Sequence, residues 1–224
     1  DDFDNDATYA IYNFGTAQIG PTDVDITVNP DAVDSELIDC AASNSSQVVL
    51  AYFDDAPDQI VGMIIDYQGN TRVNSNITAS TTDGGVAVAG IKNNGAVIAY
   101  CQGNQDDLSF VTLDAGGNSV SGIIDVDLNV GTCGTDSGSH LEVAALNSTD
   151  SRFMYIFSTS IGLNTSIAVY NFTGSQILAP TFIANLSTGT NNKAVAVGSY
   201  DPITRERACG LTISPQNALL SFNN

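Results

Sequence analysis

The chain of 224 residues has no tryptophan, one histidine, two lysines and three glutamates. Each shortage closes off a class of function. Six basic residues against 25 acidic ones leave a formal net charge of −19. A field of that sign repels phosphate backbones, which argues against nucleic acid as a partner. His140 stands alone in a glycine- and serine-rich segment beside Asp136, Ser137 and Ser139. Sequence neighbours rarely form a Ser–His–Asp site, and no nucleophile-elbow pattern is present. Cysteine and histidine are never spaced as zinc ligands are. No run approaches the roughly 18 apolar residues of a membrane span. Gly84-Gly85 and Gly116-Gly117 lack the helix or lysine that a phosphate loop needs. Catalysis is therefore not expected. The three glutamates (Glu36, Glu142 and Glu206) are far outnumbered by aspartates, which favours turns and caps over helix interiors.

What is present is repetition. Ala51-Tyr52, Asp66, Gly69 and Asn70 return as Ala99-Tyr100, Asp114, Gly117 and Asn118, each shifted by 48. Ala10, Tyr12-Asn13-Phe14 and Gln18-Ile19 return as Ala168, Tyr170-Asn171-Phe172 and Gln176-Ile177, shifted by 158, or about three periods of 53. Val-Ala-Val-Ala-Gly at 86–90 is answered by Ala-Val-Ala-Val-Gly at 194–198. A period near 50 residues marks one supersecondary unit used several times. Its clearest copy is 84–129: Val86–Ile91, a tight turn at Asn93-Asn94-Gly95, Ala96–Cys101, a polar loop, Leu108–Leu113, a turn at 114–118, then Val120–Val126. Small and branched apolar residues alternating in each segment fit strands buried on both faces.

The same four-strand order is read at 35–80 and 139–185. Residues 6–29 match strands three and four alone, and 192–224 match strands one and two, with Ala218–Phe222 as a further strand. Four-stranded antiparallel units with a divided first-and-last member resemble a β-propeller, whose ring closes by completing one blade from both termini. The expected fold is all-β, one domain over 1–224, with about four blades and one of them split. None of the named blade signatures is present, since without tryptophan there is neither a WD dipeptide nor a tryptophan-ending Asp box, and the kelch pattern is missing. The count gives 17 strands where four blades need 16, so a terminal strand could be donated to a neighbouring copy. Asn29-Pro30 followed by Asp31, Asp34, Leu37 and Ile38 suggests a turn or two of helix between units.

Cys40, Cys101, Cys133 and Cys209 allow three pairings. On the blade template Cys40 and Cys209 fall on one edge of blades that become neighbours when the ring closes. Cys101 ends a second strand, and Cys133 sits in the connection to the next blade. The expected bridges are Cys40–Cys209 and Cys101–Cys133. Asn-x-Ser/Thr sequons at Asn44, Asn76, Asn147, Asn164, Asn171 and Asn185 fall largely in predicted turns, as N-glycan acceptors do. Together with the even cysteine number they point to a secreted, extracellular glycoprotein.

Asp54, Asp55, Asp58, Asp106 and Asp107 lie in equivalent loops of adjacent units and gather on one rim. There they could meet a carbohydrate, or act as the paired carboxylates of a glycoside-cleaving site. No cofactor is expected. The one metal candidate is Ca2+ at Asp2, Asp4 and Asp6, whose alternation lets carboxylates converge, although Ala7 stands where such loops carry glycine. The sequence reading is a non-enzymatic structural or adhesive module that associates head to tail with copies of itself in a filament or coat. The alternative is a carbohydrate-binding or glycoside-cleaving propeller using the aspartate rim.

Overall fold

A computed structural model describes residues 8–13, 18–25, 33–44, 47–54, 59–66, 71–77, 85–91, 95–102, 107–127, 141–146, 152–158, 164–185, 194–200, 207–214 and 217–223. Every regular element among them is a strand. β1 (Thr8–Asn13) and β2 (Gln18–Asp25) form a two-stranded sheet. β3 (Val33–Asn44), β4 (Gln47–Asp54), β5 (Gln59–Asp66) and β6 (Thr71–Asn76) make the first four-stranded sheet. β7 (Val86–Ile91), β8 (Gly95–Gln102), β9 (Asp107–Leu113) and β10 (Ile124–Asp127) make the second. β11 (Leu141–Ala145), β12 (Arg152–Ser158), β13 (Asn164–Asn171) and β14 (Gln176–Asn185) make the third. β15 (Ala194–Tyr200), β16 (Arg207–Ser214) and β17 (Asn217–Asn223) form a three-stranded sheet. Each sheet is an antiparallel meander.

These sequences become strands because both their faces are covered. In β5 the residues Ile60 to Asp66 are all buried, which explains the near-continuous apolar run. The first and second sheets meet over Val49, Ile60, Ile64, Val88, Ile98 and Val111. The second and third meet over Leu108, Phe110, Leu141, Val143, Phe153 and Tyr170. Phe110 stands edge-on to Phe153, centroids 5.0 Å apart, and lies 4.7 Å from Tyr170.

The first strand of each sheet packs along the next: β3 on β7, β7 on β11, β11 on β15. Gly90 permits the closest approach. A Cβ there would fall 1.7 Å from the Ala42 carbonyl oxygen of β3. The ladders put the sheets in common register. Counting from the start of the second strand, its fourth residue (Leu50, Ile98, Tyr155) lies opposite Cys40, Val88 and Val143, and its fifth (Ala51, Ala99, Ile156) opposite Asp39, Ala87 and Glu142.

Four expectations change. The helix suggested around Leu37 and Ile38 is strand β3, because Ile38 pairs with Tyr52 and Asp39 with Ala51; residues 29–32 lie outside the described residues. The terminal pieces are two separate sheets. β16 pairs β15 on one side and β17 on the other, so β17 occupies the edge that β1 would need to complete a split blade. The Cys40–Cys209 bridge is not formed, since Cys40 is an exposed free thiol. β3 packs along β7, and among the described residues no comparable contact brings it to β15 and the Cys209-bearing sheet. The fourth strand of the second sheet is also shorter than its apolar pattern: Val120 and Ser121 bend, Gly122 takes a φ of 67°, and β10 begins at Ile124.

Candidate functional site

The strand directions create two rims. One carries the turns from first to second and from third to fourth strands. It is held by a repeated Asx turn. Asp114 Oδ1 accepts the backbone N–H of Gly116 (2.8 Å) and of Asn118 (2.9 Å), and the Asn118 side-chain amide reaches both carboxylate oxygens. In the third sheet Asn171 Oδ1 accepts Thr173 N–H (3.1 Å), Ser175 N–H (2.8 Å) and the Thr173 hydroxyl (2.9 Å). Gly117 and Gly174, four positions into their turns, share φ of 82°, a conformation that favours glycine. The bonds from Asn118 hold the Asp114 carboxyl below the usual carboxylate range, so this group stays ionised. Neighbouring turns are tied across sheets. The Gln47 side-chain amide donates to Ala115 O (3.4 Å) and the Thr112 hydroxyl to Phe172 O (2.7 Å).

The opposite rim carries the loops between second and third strands. Asp54 closes β4 opposite Gln59, and Asp107 opens β9 opposite Gln102. The two therefore occupy the same end of adjacent sheets. Asp55, Asp58 and Asp106 lie outside the described residues. Just inside this rim a polar row crosses the second sheet: Tyr100 opposite Ser109, and Ser109 opposite Asp125. Ser109 and Tyr100 are fully buried, whereas Asp125 is exposed. The Ser109 hydroxyl donates to Asp125 Oδ1 at 2.9 Å. The Tyr100 hydroxyl is buried and has no hydrogen-bond partner among the described residues. Burial, followed by the Asp125 charge, pushes its pKa well above the usual phenol range, so it stays protonated and remains a donor. The equivalent rows are Tyr52–Val61–Asn76 and Phe157–Ser166–Phe182. The row was missed in the sequence, where only the Ala-Tyr repeat hinted at it.

A second acidic pair lies where the first strands converge. Asp39 Oδ2 accepts Val88 N–H of β7 at 2.7 Å, and Oδ1 accepts Cys40 N–H at 2.8 Å. Glu142 holds the same register position two sheets on, with Ala87 between them. Burial, with the Asp39 charge second, pushes the Glu142 carboxyl up to about 7. Asp39 is also raised by burial, against the two hydrogen bonds.

The remaining sequence candidates are spread out. Asn44 ends β3, Asn76 ends β6, Asn164 opens β13, Asn171 ends β13 and Asn185 ends β14. Asn147 lies outside the described residues, as do Asp2, Asp4, Asp6, Cys133 and His140. Cys101 is disulfide-bonded. Cys209 lies in β16 opposite Gly198 and Phe222. Among the described residues no group of three potential metal ligands comes together, and no helix is long and apolar enough to cross a membrane.

No family model matches the sequence, and no curated protein matches it. Solved structures do. A fucose-specific lectin from Aleuria aurantia superposes with a TM-score of 0.58 over 98% of this chain and 70% of its own, at 12% identity. SapL1 lectin, solved in complex with alpha methyl fucoside, gives 0.51 over 83% of this chain and 61% of its own, at 10% identity. The fold is propeller-like. At such identities the likeness is one of architecture, and this chain spans less than two thirds of the second lectin.

Proposed function

We propose that this chain is a non-catalytic, carbohydrate-binding propeller module that acts outside the cell. The supporting observation is the shared architecture with two lectins whose names specify fucose or a fucoside. The rim of Asp54 and Asp107, with the Tyr100–Ser109–Asp125 row beneath it, suits that task. Neutral sugars are recognised by a few placed acceptors and donors, and the exposed Asp125 carboxylate is an acceptor of that kind. Glycan-array binding followed by calorimetry with alpha methyl fucoside and a panel of neutral monosaccharides tests the reading. Asp107→Asn and Asp125→Asn should each weaken binding about tenfold or more, as expected when a hydrogen bond to a charged group is lost. Failure to bind any neutral glycan, or binding unchanged in both variants, refutes it. The sequons are proposed glycan acceptors, checked by a mass shift on enzymatic deglycosylation of secreted material. With Cys40 free and Cys101 disulfide-bonded, Cys133 is the proposed partner of Cys101, as the sequence pairing expects.

A second reading has its own observation. The terminal sheets hold two and three strands and do not join. A module with such ends is suited to self-association, and head-to-tail contact would extend into a filament or coat. Sugar binding and self-association are compatible, as in a multivalent adhesive surface.

A further inference from the structure

We infer that the face of β3 carrying Ile38, Cys40 and Ala42 is the seat for the β15–β16–β17 sheet of a second copy of this chain. The inference rests on the self-association reading and names its surface.

Cys40, Val88 and Val143 share one place in their sheets. Val88 is 5% exposed and packs in the core between the first and second sheets; Val143 is 3% exposed and packs in the core between the second and third. In each case the preceding sheet covers the residue. Cys40 at the same position is exposed, as are Ala42 and, at 40%, Ile38. Among the side chains described on this face, the exposure is confined to β3. Further across the same face Leu50, Tyr52, Val61, Met63 and Ile65 are buried. What lacks a cover is therefore a strip one strand wide, on the strand that in later sheets receives the first strand of its predecessor.

The chemistry of the strip identifies the occupant. Ile38, Cys40 and Ala42 are uncharged and small to medium, matching the Val86, Val88 and Gly90 that β3 itself covers. The contact these positions make elsewhere is with another first strand, β3 to β7, β7 to β11 and β11 to β15. The C-terminal sheet begins with such a strand, Ala194–Tyr200, whose Ala-Val-Ala-Val-Gly answers β7. Among the described residues it makes no contact with β3 comparable to those between the other first strands. The docking is face to face, continuing an interface already repeated three times, so no free strand edge is required. One end seats the other, and the contact is heterologous.

The test uses the full chain. Light scattering coupled to size exclusion, from about 1 to about 100 µM, should show mass rising in whole-chain steps with concentration. Cys40→Glu and Ala42→Glu should each weaken that association about tenfold or more, because they bury an unpaired carboxylate in the seat. Both positions are exposed in the single chain, so its thermal midpoint should not move. In the unmodified protein, maleimide labelling of Cys40 should slow as concentration rises. Association unaffected by either substitution overturns the surface and leaves self-association standing. A monomer throughout overturns both. A Cys40 protected in a monomer means the chain's own last sheet fills the seat, and overturns the second copy.

Discussion

Replacing Glu142 by glutamine should stabilise the protein at alkaline pH and leave it unchanged in acid. The carboxyl moves from an ordinary 4.5 to about 7 because it is buried and because Asp39 carries like charge nearby. A raised carboxylate pKa means that the folded state favours the protonated form. The fold is therefore most stable below about 4.5, loses stability as pH climbs from there to about 7, and is flat above. A displacement of that size corresponds to at most about 3 kcal/mol. The group keeps some contact with water, and screening reduces the figure to about 1–2 kcal/mol. For a chain of this length that is roughly 2–8 °C in thermal midpoint. Melting curves of the two proteins from pH 4 to pH 9 should converge at the acid end and separate through neutrality, with Glu142→Gln the higher. Asp39→Asn should reduce the separation, since the Asp39 charge is part of its cause. Parallel curves at every pH, or an advantage for the variant only in acid, would refute the reasoning.

Phe110→Ala should lower stability by about 3–5 kcal/mol, as for other buried aromatic truncations, because its ring meets both Phe153 and Tyr170 at the interface of two sheets. Chemical denaturation would show it as a lower midpoint with an unchanged slope, and a loss under 1 kcal/mol would mean the two sheets do not share this core. Tyr100→Phe should raise stability by about 1 kcal/mol, because it deletes a buried hydroxyl that has no partner among the described residues. A loss in its place would mean that the hydroxyl is bonded, and weaker sugar binding by the more stable variant would place the hydroxyl at the ligand.

What could be read from the sequence was whatever the chain states locally and more than once. Asp66 and Asp114 with their trailing Gly-Asn are turn chemistry complete within five residues, so a shift of 48 was enough to align two sheets. Asn171, Gly174 and Ser175 build the same turn with different side chains. The false helix at Asp34 to Ile38 was also a local signal, a proline followed by acidic residues, and it lost to the ladder with β4, where Ile38 meets Tyr52. Features that depend on which sheets touch were not local. Glu142 stands 103 residues from Asp39, and neither has a neighbour that marks it; only the common register, with a small Ala87 between, brings their charges into one space. The Cys40–Cys209 pairing failed for the related reason that it assumed a closed ring. Closure is a contact between the first and last sheets, and no residue in either carries that information alone. The exposed strip on β3 is the same fact seen from the surface. Position by position the repeat specifies a covered face, and on the first complete sheet the residues conform to that specification while their cover must come from elsewhere.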